Sequence, residues 1–161
     1  EGYAPGGVAI LVEVLTDNRN RAASEVRSIF TRHGGSLGAA GSVAWMFDRQ
    51  GVITVEKSAA TEDELMLAAL EAGAEDVRAT ADAFEIVTSV DAFYTVKQAL
   101  EAGRIPVQAA DITMVPRSTV RVEGKDAKQV LALMEALEDQ DDVQRAYANF
   151  DIPDEILQQV S

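Results

Sequence analysis

The apolar residues of the N-terminal third predict a strand followed by a helix. The continuous apolar run GVAILVEVL, residues 7–15, is typical of a strand buried on both faces. Thr16 and Asp17 follow it as candidates for a helix N-cap. Apolar residues then recur at spacings of three and four, which predicts one buried helical face. These residues are Ala22, Ala23, Val26, Ile29 and Phe30. Gly34 and Gly35 are expected to end the helix.

The next apolar positions predict a loop and a second strand. GGSLGAAGS, residues 34–42, consists almost entirely of small residues and is typical of a loop. Val43, Trp45 and Phe47 then alternate with Ala44 and Met46, so Trp45 and Phe47 are expected to pack into the core, with base stacking as the alternative. GVITVEK, residues 51–57, has the composition of a strand.

The rest of the chain predicts two further sets of elements. Thr61 and Glu64 form a capping box that begins a helix ending at Gly73. Up to Pro116 we predict strands over 76–80 and 83–89, a helix over 90–102 and a strand over 107–115. Beyond it we predict a strand over 119–123, a helix over 127–137, a strand over 143–150 and a short helix over 152–160.

This order predicts an α+β fold built from two small α/β sandwiches with antiparallel sheets. Without residues 58–116, the chain has the order β-α-β followed by β-α-β. That order is typical of a ferredoxin-like split βαβ unit. We therefore predict a discontinuous ferredoxin-like domain of residues 1–57 and 117–161. An acidic αββαβ domain, residues 58–116, is predicted to be inserted between its halves.

The composition excludes several classes of chemistry. The 161 residues contain no cysteine, which excludes thiolate metal sites, and only one histidine, His33, which excludes a metal site built from several histidines. The carboxylates occur in turns and caps, with no pair placed for acid–base catalysis. We expect no catalytic residue, cofactor or metal, and no membrane span, because no apolar run approaches about 20 residues. The start at Glu1 carries no secretion signal and indicates a chain that begins within a longer protein.

The charge is distributed unevenly along the chain. The formal net charge is −13, which disfavours polyanion binding by the whole surface. Residues 1–57 are neutral, however, with six basic and six acidic groups, whereas residues 58–114 have a net charge of −8. The first third is therefore the part of the chain best suited to contact an anion.

The segment TDNRNR, residues 16–21, places arginines at the start of the first helix. Free N–H groups and the helix dipole favour anions at this end, so cations there suggest a bound phosphate. The candidate nucleic-acid contacts are Asn18, Arg19, Asn20, Arg21 and Arg32. On a helical wheel Arg19 leans toward the apolar stripe, which makes Arg21 and Arg32 the better contacts. The alternative is a capped helix with an Arg21–Glu25 pair in solvent.

The glycine-rich loop is a second candidate contact. It lacks the lysine of a phosphate-binding P-loop and follows a helix, whereas a dinucleotide fingerprint precedes one. We therefore expect a flexible loop that becomes ordered on contact with a partner. Its candidate residues are Gly35, Ser36, Gly38, Gly41 and Ser42.

Several segments together resemble the YebC-type proteins, which include bacterial members and a mitochondrial translational activator of cytochrome c oxidase subunit I. The resemblance covers nearly the whole chain. It rests on EGYAPGGVAI (1–10), LTDNRNR (15–21), GGSLGAAGSVAWMF (34–47), RQGVITV (49–55) and DDVQRAYANFDIP (141–153). Gln50 and Trp45 stand where the family pattern has lysine and usually tyrosine.

The resemblance implies a lysine-rich helical N-terminal domain, absent from this sequence, followed by two α/β domains. It implies a ribosome-associated factor that assists elongation on proline-rich sequences by binding rRNA, tRNA or ribosomal protein. Older descriptions of the family imply a DNA-binding transcriptional regulator, whose DNA contact would depend on the absent domain. No catalytic residue is implied. The bacterial cytoplasm is the expected location, with the mitochondrial matrix as alternative.

A third class stays open on the residues alone. Small βαββαβ units serve as ligand-binding regulatory modules, so a small-molecule sensor is an alternative that requires a polar, convergent pocket. The oligomeric state and the contacted surface are not determined by the sequence.

Overall fold

The computed structural model describes residues 1–152. The helices are α1 (Arg19–Arg32), α2 (Glu62–Glu71), α3 (Phe93–Ala102) and α4 (Gly124–Asp139). The strands are β1 (Gly2–Ala4), β2 (Val8–Val14), β3 (Ser36–Leu37), β4 (Phe47–Glu56), β5 (Asp76–Ala79), β6 (Ala83–Thr88), β7 (Ala109–Pro116), β8 (Val120–Arg121), β9 (Val143–Ala148) and β10 (Phe150–Asp151). The helix predicted over 152–160 lies outside the described residues, except for its first position.

The chain divides into two compact units, one discontinuous and one inserted. The first consists of residues 1–48 and the chain from residue 116 onward, and the second of residues 49–115. Each contains helices and a four-stranded sheet with antiparallel pairing. The predicted α+β class is therefore confirmed.

The first unit has the sheet order β3-β1-β2-β9. Because β1 is antiparallel to both β2 and β3, those two strands are parallel and α1 connects them across β1. The sequence pattern missed β1 and β3, which have only three and two residues. Strands of two or three residues are too short to show an alternation of apolar and polar residues, so they are recognised only by the strands with which they pair.

Phe30 is at the centre of the first unit's core. Its ring is fully buried among residues of β2, α1 and α4, including Ile10, Val26 and Leu133. A Cβ added to Gly2 would come within 2.6 Å of this ring, so a side chain at that position is excluded. Gly34 ends α1 in the left-handed region with a φ of 80°, as predicted. The predicted apolar face of α1 is buried except at Ala23, which is exposed.

The second unit has the sheet order β5-β6-β4-β7. With β4, its element order becomes β-α-β-β-α-β, and this strand order is that of a ferredoxin-like fold. The predicted domain boundary after residue 57 differs from this arrangement, because β4 pairs with β6 from Gly51–Thr88 to Glu56–Ala83. The ferredoxin-like order therefore occurs in the inserted unit, while the first unit has the extra short strands. Periodicity identified the strand but could not show which sheet it joins.

Two motif residues have structural roles in these sheets. A Cβ on Gly51 would collide with the Phe93 ring and the Thr88 hydroxyl, so only glycine fits there. Asn149 is buried, and its side-chain oxygen accepts a hydrogen bond from the Ala9 backbone N–H at 2.8 Å. Its backbone also bonds to Ala9 and Val120, which links β2 with β8. These motif positions are explained by packing and hydrogen bonding.

Candidate nucleic-acid interface

The segment TDNRNR forms the capped start of α1. Asn18 is the N-cap, and its side-chain oxygen accepts a hydrogen bond from the Arg21 backbone N–H at 3.1 Å. The Thr16 hydroxyl accepts a hydrogen bond from the Asn18 backbone N–H and also contacts the Asn18 carbonyl. The prediction of Thr16 or Asp17 as N-cap is therefore wrong by one or two residues. Asn18 caps because its backbone is extended and the helix starts after it.

Arg21 is held by acidic residues of its own chain. Its guanidinium donates to the Asp142 carboxylate at 2.9 Å and lies 3.9 Å from both Glu25 and Asp17. The hydrogen bond and charge of Asp142 raise the pKa of Arg21, and Arg21 in turn lowers the pKa of the Asp142 carboxyl. The predicted solvent pair with Glu25 is present, but the nearest partner comes from the turn before β9, far along the sequence.

Arg19 has a different environment. Within residues 1–152 it has no ion-pair partner, and its side chain is exposed, so it does not join the core as the helical wheel suggested. It lines a cleft of about 340 Å³ beside Val12, Val26 and Leu37. The N-terminal part of the apolar stripe, Ala22 to Val26, thus forms one wall of an open cleft, and the guanidinium of Arg19 beside it is available to an external anion.

The outer face of α1 contains a further arginine and several hydrogen-bonding side chains. Arg27 is exposed and lacks an ion-pair partner in the described part of the chain. At about 100° per residue, Arg27 lies on the Arg19 side of the face, whereas Arg32 lies on the Arg21 side. Between these two flanks are small polar side chains: Asn20, Ser24, Ser28 and Thr31. We call these four residues with Arg19, Arg27 and Arg32 the α1 polar face.

Arg27 was not among the candidate contacts predicted from the sequence, although its position on the predicted helix could have been compared with that of Arg19. It follows Arg19 by eight residues, which places the two about 80° apart around the helix and about 12 Å apart along it. Arg32 donates from Nε to the Ser28 carbonyl at 3.5 Å, which leaves its terminal nitrogens without a described partner. The structure therefore brings Arg19, Asn20 and Arg32 onto one exposed helix and uses Asn18 and Arg21 in internal contacts.

The glycine-rich loop is held in place by hydrogen bonds to the Glu1 carboxylate. The two Glu1 carboxylate oxygens accept hydrogen bonds from the backbone N–H groups of Gly41, Val43 and Ala44 at 2.6, 3.0 and 2.7 Å. The Glu1 carbonyl accepts another from Gly38. The expectation of a loop that orders only on contact does not match this arrangement. Ser36 is paired in β3, and Gly35 lies so close to the Tyr3 carbonyl that a Cβ would collide with it.

These hydrogen bonds make the stability of the loop depend on pH. The hydrogen bond from the Gly41 N–H above all, together with those from Ala44 and Val43, lowers the pKa of the Glu1 carboxyl below its ordinary value of 4.5. Because the pKa of Glu1 is lower in the folded than in the unfolded state, its ionised carboxylate stabilises the fold. This contribution is fully present above about pH 4.5 and is lost as the pH falls through the folded-state pKa. We expect Glu1→Gln to lower the melting temperature at neutral pH, and the difference from wild type to shrink in acid. A difference independent of pH would contradict this assignment.

Trp45 is exposed, against the prediction that it packs in the core. Residues Ala44–Met46 form a short 3-10 turn, which places 63% of Trp45 in solvent while Phe47 is buried. The indole N–H donates to the Ser42 carbonyl at 3.0 Å. The alternation with Ala44 and Met46 predicts core packing of both aromatic residues, but the strand starts only at Phe47, and of the two only Phe47 is buried. The tryptophan therefore offers a free ring face beside the loop.

If the α1 polar face binds nucleic acid, binding is expected to change the fluorescence of Trp45, which is the only tryptophan of the chain. Glu1 accepts hydrogen bonds from the loop before Trp45 and also lines the cleft beside Arg19. Trp45 and the Arg19 end of the α1 polar face are therefore close to the same residue. Trp45→Ala is expected to change the free energy of unfolding by less than about 1 kcal/mol, because an exposed side chain is removed. A titration monitored by tryptophan emission checks the fluorescence change, and a thermal melt of the variant checks its stability. Unchanged emission at saturating oligonucleotide would contradict the expected fluorescence change.

The described residues contain neither a cluster of metal-ligating side chains nor a helix that could span a bilayer. No group of three or more histidine, aspartate or glutamate side chains within residues 1–152 is arranged to hold a metal ion. None of the helices described is long and apolar enough to cross a bilayer. What the α1 polar face provides is hydrogen-bond donors and positive charge on a rigid helix, which suits phosphate contacts.

Comparison with known proteins identifies relatives of the whole chain. A family model described as the second and third domain of TACO1/YebC matches residues 1–150. A probable transcriptional regulatory protein of Syntrophobacter fumaroxidans is 58% identical over 162 residues, and one of Dictyoglomus thermophilum is 59% identical. Each alignment covers 100% of this chain and 65% of the relative, so the chain spans about two thirds of their length.

A solved structure supports the same relationship. The crystal structure of a conserved hypothetical protein, Aq1575, from Aquifex aeolicus superposes with a TM-score of 0.84 at 49% sequence identity. The superposition covers 98% of this chain and 65% of that chain. Family model, relatives and structure agree over both compact units. The chain therefore belongs to the TACO1/YebC family and corresponds to its second and third domains.

Proposed function

We propose that the chain is part of a non-enzymatic regulator that contacts nucleic acid through the α1 polar face. The observation that carries the proposal is the pair of exposed arginines, Arg19 and Arg27, that have no ion-pair partner among residues 1–152. Arginine donates to phosphate through a planar fork, and the hydroxyl and amide side chains between the two flanks supply further donors. The regulatory role agrees with the name of the relatives.

We further propose that the nucleic acid is ribosomal or transfer RNA and that the protein acts in the bacterial cytoplasm. A chain with a net charge of −13 is repelled by a uniform polyanion such as duplex DNA. A ribosome presents basic proteins beside its RNA, so the neutral N-terminal third and the acidic second unit both find complementary surfaces. Assistance to elongation on proline-rich sequences is the specific role that we propose for this contact.

Transcriptional regulation is the second candidate. It is favoured by the name of the relatives, probable transcriptional regulatory protein. In that case duplex DNA would be bound through the same arginines together with the part of the longer protein that this chain does not include.

The experiment that separates the two candidates is a parallel binding assay with the full-length protein. Co-sedimentation with ribosomes is measured across a salt series, beside a gel shift on random duplex DNA at the same salt concentrations. We expect ribosome binding to persist at salt concentrations that abolish binding to duplex DNA. Binding to duplex DNA alone would replace the translational role with the transcriptional one. If the protein bound neither, the nucleic-acid function would be wrong.

A further inference from the structure

The outward face of α2 exposes more apolar surface than the fold requires. Leu65 and Ala69 are fully buried and hold the helix against its sheet. Met66, Leu67 and Leu70 are 38%, 63% and 45% exposed on the other side of the same ten-residue helix. We call these three residues the α2 outer face. Large apolar side chains on both sides of a short helix indicate that the outer side contacts something else.

The start of α3 extends this exposed surface. Val90 and Tyr94 are 45% and 66% exposed. A Cβ built on Gly73, just after α2, would lie 3.8 Å from the Ala92 side chain, so the end of α2 adjoins the start of α3. Four of the eight exposed large hydrophobic residues of the described chain thus belong to α2 and α3, and a fifth, Val90, lies in the turn just before α3. Such clustering is typical of a protein interaction surface, because single exposed residues would be scattered.

The charges around the α2 outer face restrict what can cover it. α2 contains four acidic residues and no basic residue: Glu62, Asp63, Glu64 and Glu71. Glu64 is used in the capping box, whereas the other three have no ion pair within the described residues. The whole second unit, residues 49–115, carries twelve acidic and five basic residues. This surface repels nucleic acid and anionic lipid and attracts cations.

We propose that the α2 outer face docks a basic protein segment that carries large apolar side chains. The apolar side chains of the segment would cover Met66, Leu67 and Leu70, and its lysines or arginines would pair with Asp63 and Glu71 at the margin. This division into an apolar centre and a charged rim is the usual arrangement of a protein interface. The proposal does not depend on nucleic-acid binding, because it uses residues of the other unit.

The test measures binding of a fluorescein-labelled helical peptide of lysine and leucine to this chain by anisotropy. Two control peptides replace lysine by glutamate or leucine by serine. We expect the lysine–leucine peptide to bind at least about tenfold more tightly than either control, since both the apolar and the charged parts are required. Equal binding of the lysine–leucine and lysine–serine peptides would overturn the proposal, because charge alone would then explain the affinity.

Variants of the chain locate the binding site. The double variant Leu67→Ser, Leu70→Ser is expected to bind the lysine–leucine peptide about tenfold or more weakly than wild type. The double variant Asp63→Asn, Glu71→Gln is expected to show a smaller dependence of peptide affinity on salt concentration. The matched control, Val14→Thr with Leu15→Ser, removes exposed apolar groups from the first unit and is expected to bind as wild type. All the substituted side chains are exposed, and thermal melts verify that each variant is folded.

Two outcomes of the variant series would contradict the proposal. Unchanged binding by the Leu67→Ser, Leu70→Ser variant would place the peptide elsewhere on the acidic surface. Sedimentation velocity provides the second check: a wild-type dimer that this variant converts to a monomer would show that a second copy of the chain covers the face. A monomeric wild type with variant-sensitive peptide binding is the result that supports a basic protein segment.

Discussion

Arg19→Ala combined with Arg27→Ala is expected to weaken nucleic-acid binding by at least about tenfold without unfolding the protein. Both guanidinium groups are exposed on α1 and lack ion-pair partners in the described chain, so no internal contact is lost. Removing the two proposed phosphate contacts is also expected to lower the slope of log affinity against log salt by about two. Ribosome co-sedimentation with the full-length protein, repeated over a salt series, measures both effects.

Variants at Arg21 and Asp142 serve as the matched controls. Arg21 is already paired with Asp142, so Arg21→Ala is expected to weaken binding less than either Arg19→Ala or Arg27→Ala. Asp142→Asn releases the Arg21 side chain and is expected to strengthen binding, because a cation becomes available and a negative charge is removed. If Arg21→Ala had the largest effect of the three, the sequence-based choice of Arg21 would be restored and the role given to Arg19 would be wrong.

Phe30→Ala is expected to lower the free energy of unfolding of the first unit by about 3–5 kcal/mol. The ring is completely buried in the apolar core of that unit, and β1 approaches it so closely that position 2 must be glycine. The vacated volume cannot be filled by neighbouring backbone without breaking the β1–β3 pairing. For a domain stabilised by about 5–15 kcal/mol, this is a large fraction of the total.

Urea denaturation followed by far-UV circular dichroism measures this loss. Leu15→Ala is the control, since Leu15 is 72% exposed and its removal is expected to change the unfolding free energy by less than about 0.5 kcal/mol. Leu100→Ala provides a second comparison, because that residue is fully buried in the core of the other unit. A Phe30→Ala variant as stable as the Leu15 variant would show that the ring is not essential to the core.

Local pattern was sufficient for the longer elements of this protein. The spacing of Val26, Ile29 and Phe30 predicted the buried side of α1, and the capping box at Thr61 predicted the start of α2. Each of these signals depends on residues that are neighbours in sequence, and a helix brings such residues together by its own period. The start of α1 was predicted to within one or two residues for the same reason.

The tertiary structure decided what those local signals could not. β4 was recognisable as a strand, but only its pairing with β6 assigns it to the second unit. Arg21 and Arg19 differ by two positions, yet Asp142 reaches one and an open cleft borders the other. The loop of residues 38–44 is held by Glu1, which is distant in sequence.

The sequence by itself therefore determined the order of the longer elements, the uneven charge and the family resemblance that the comparisons confirmed. The tertiary structure decided which strand joins which sheet, which arginine is available and which apolar residues of α2 face outward. The physical reason is the range of the interactions involved. Helical periods and caps act over three to four residues, whereas strand pairing, ion pairs such as Arg21–Asp142 and burial depend on residues brought together only by the folded chain.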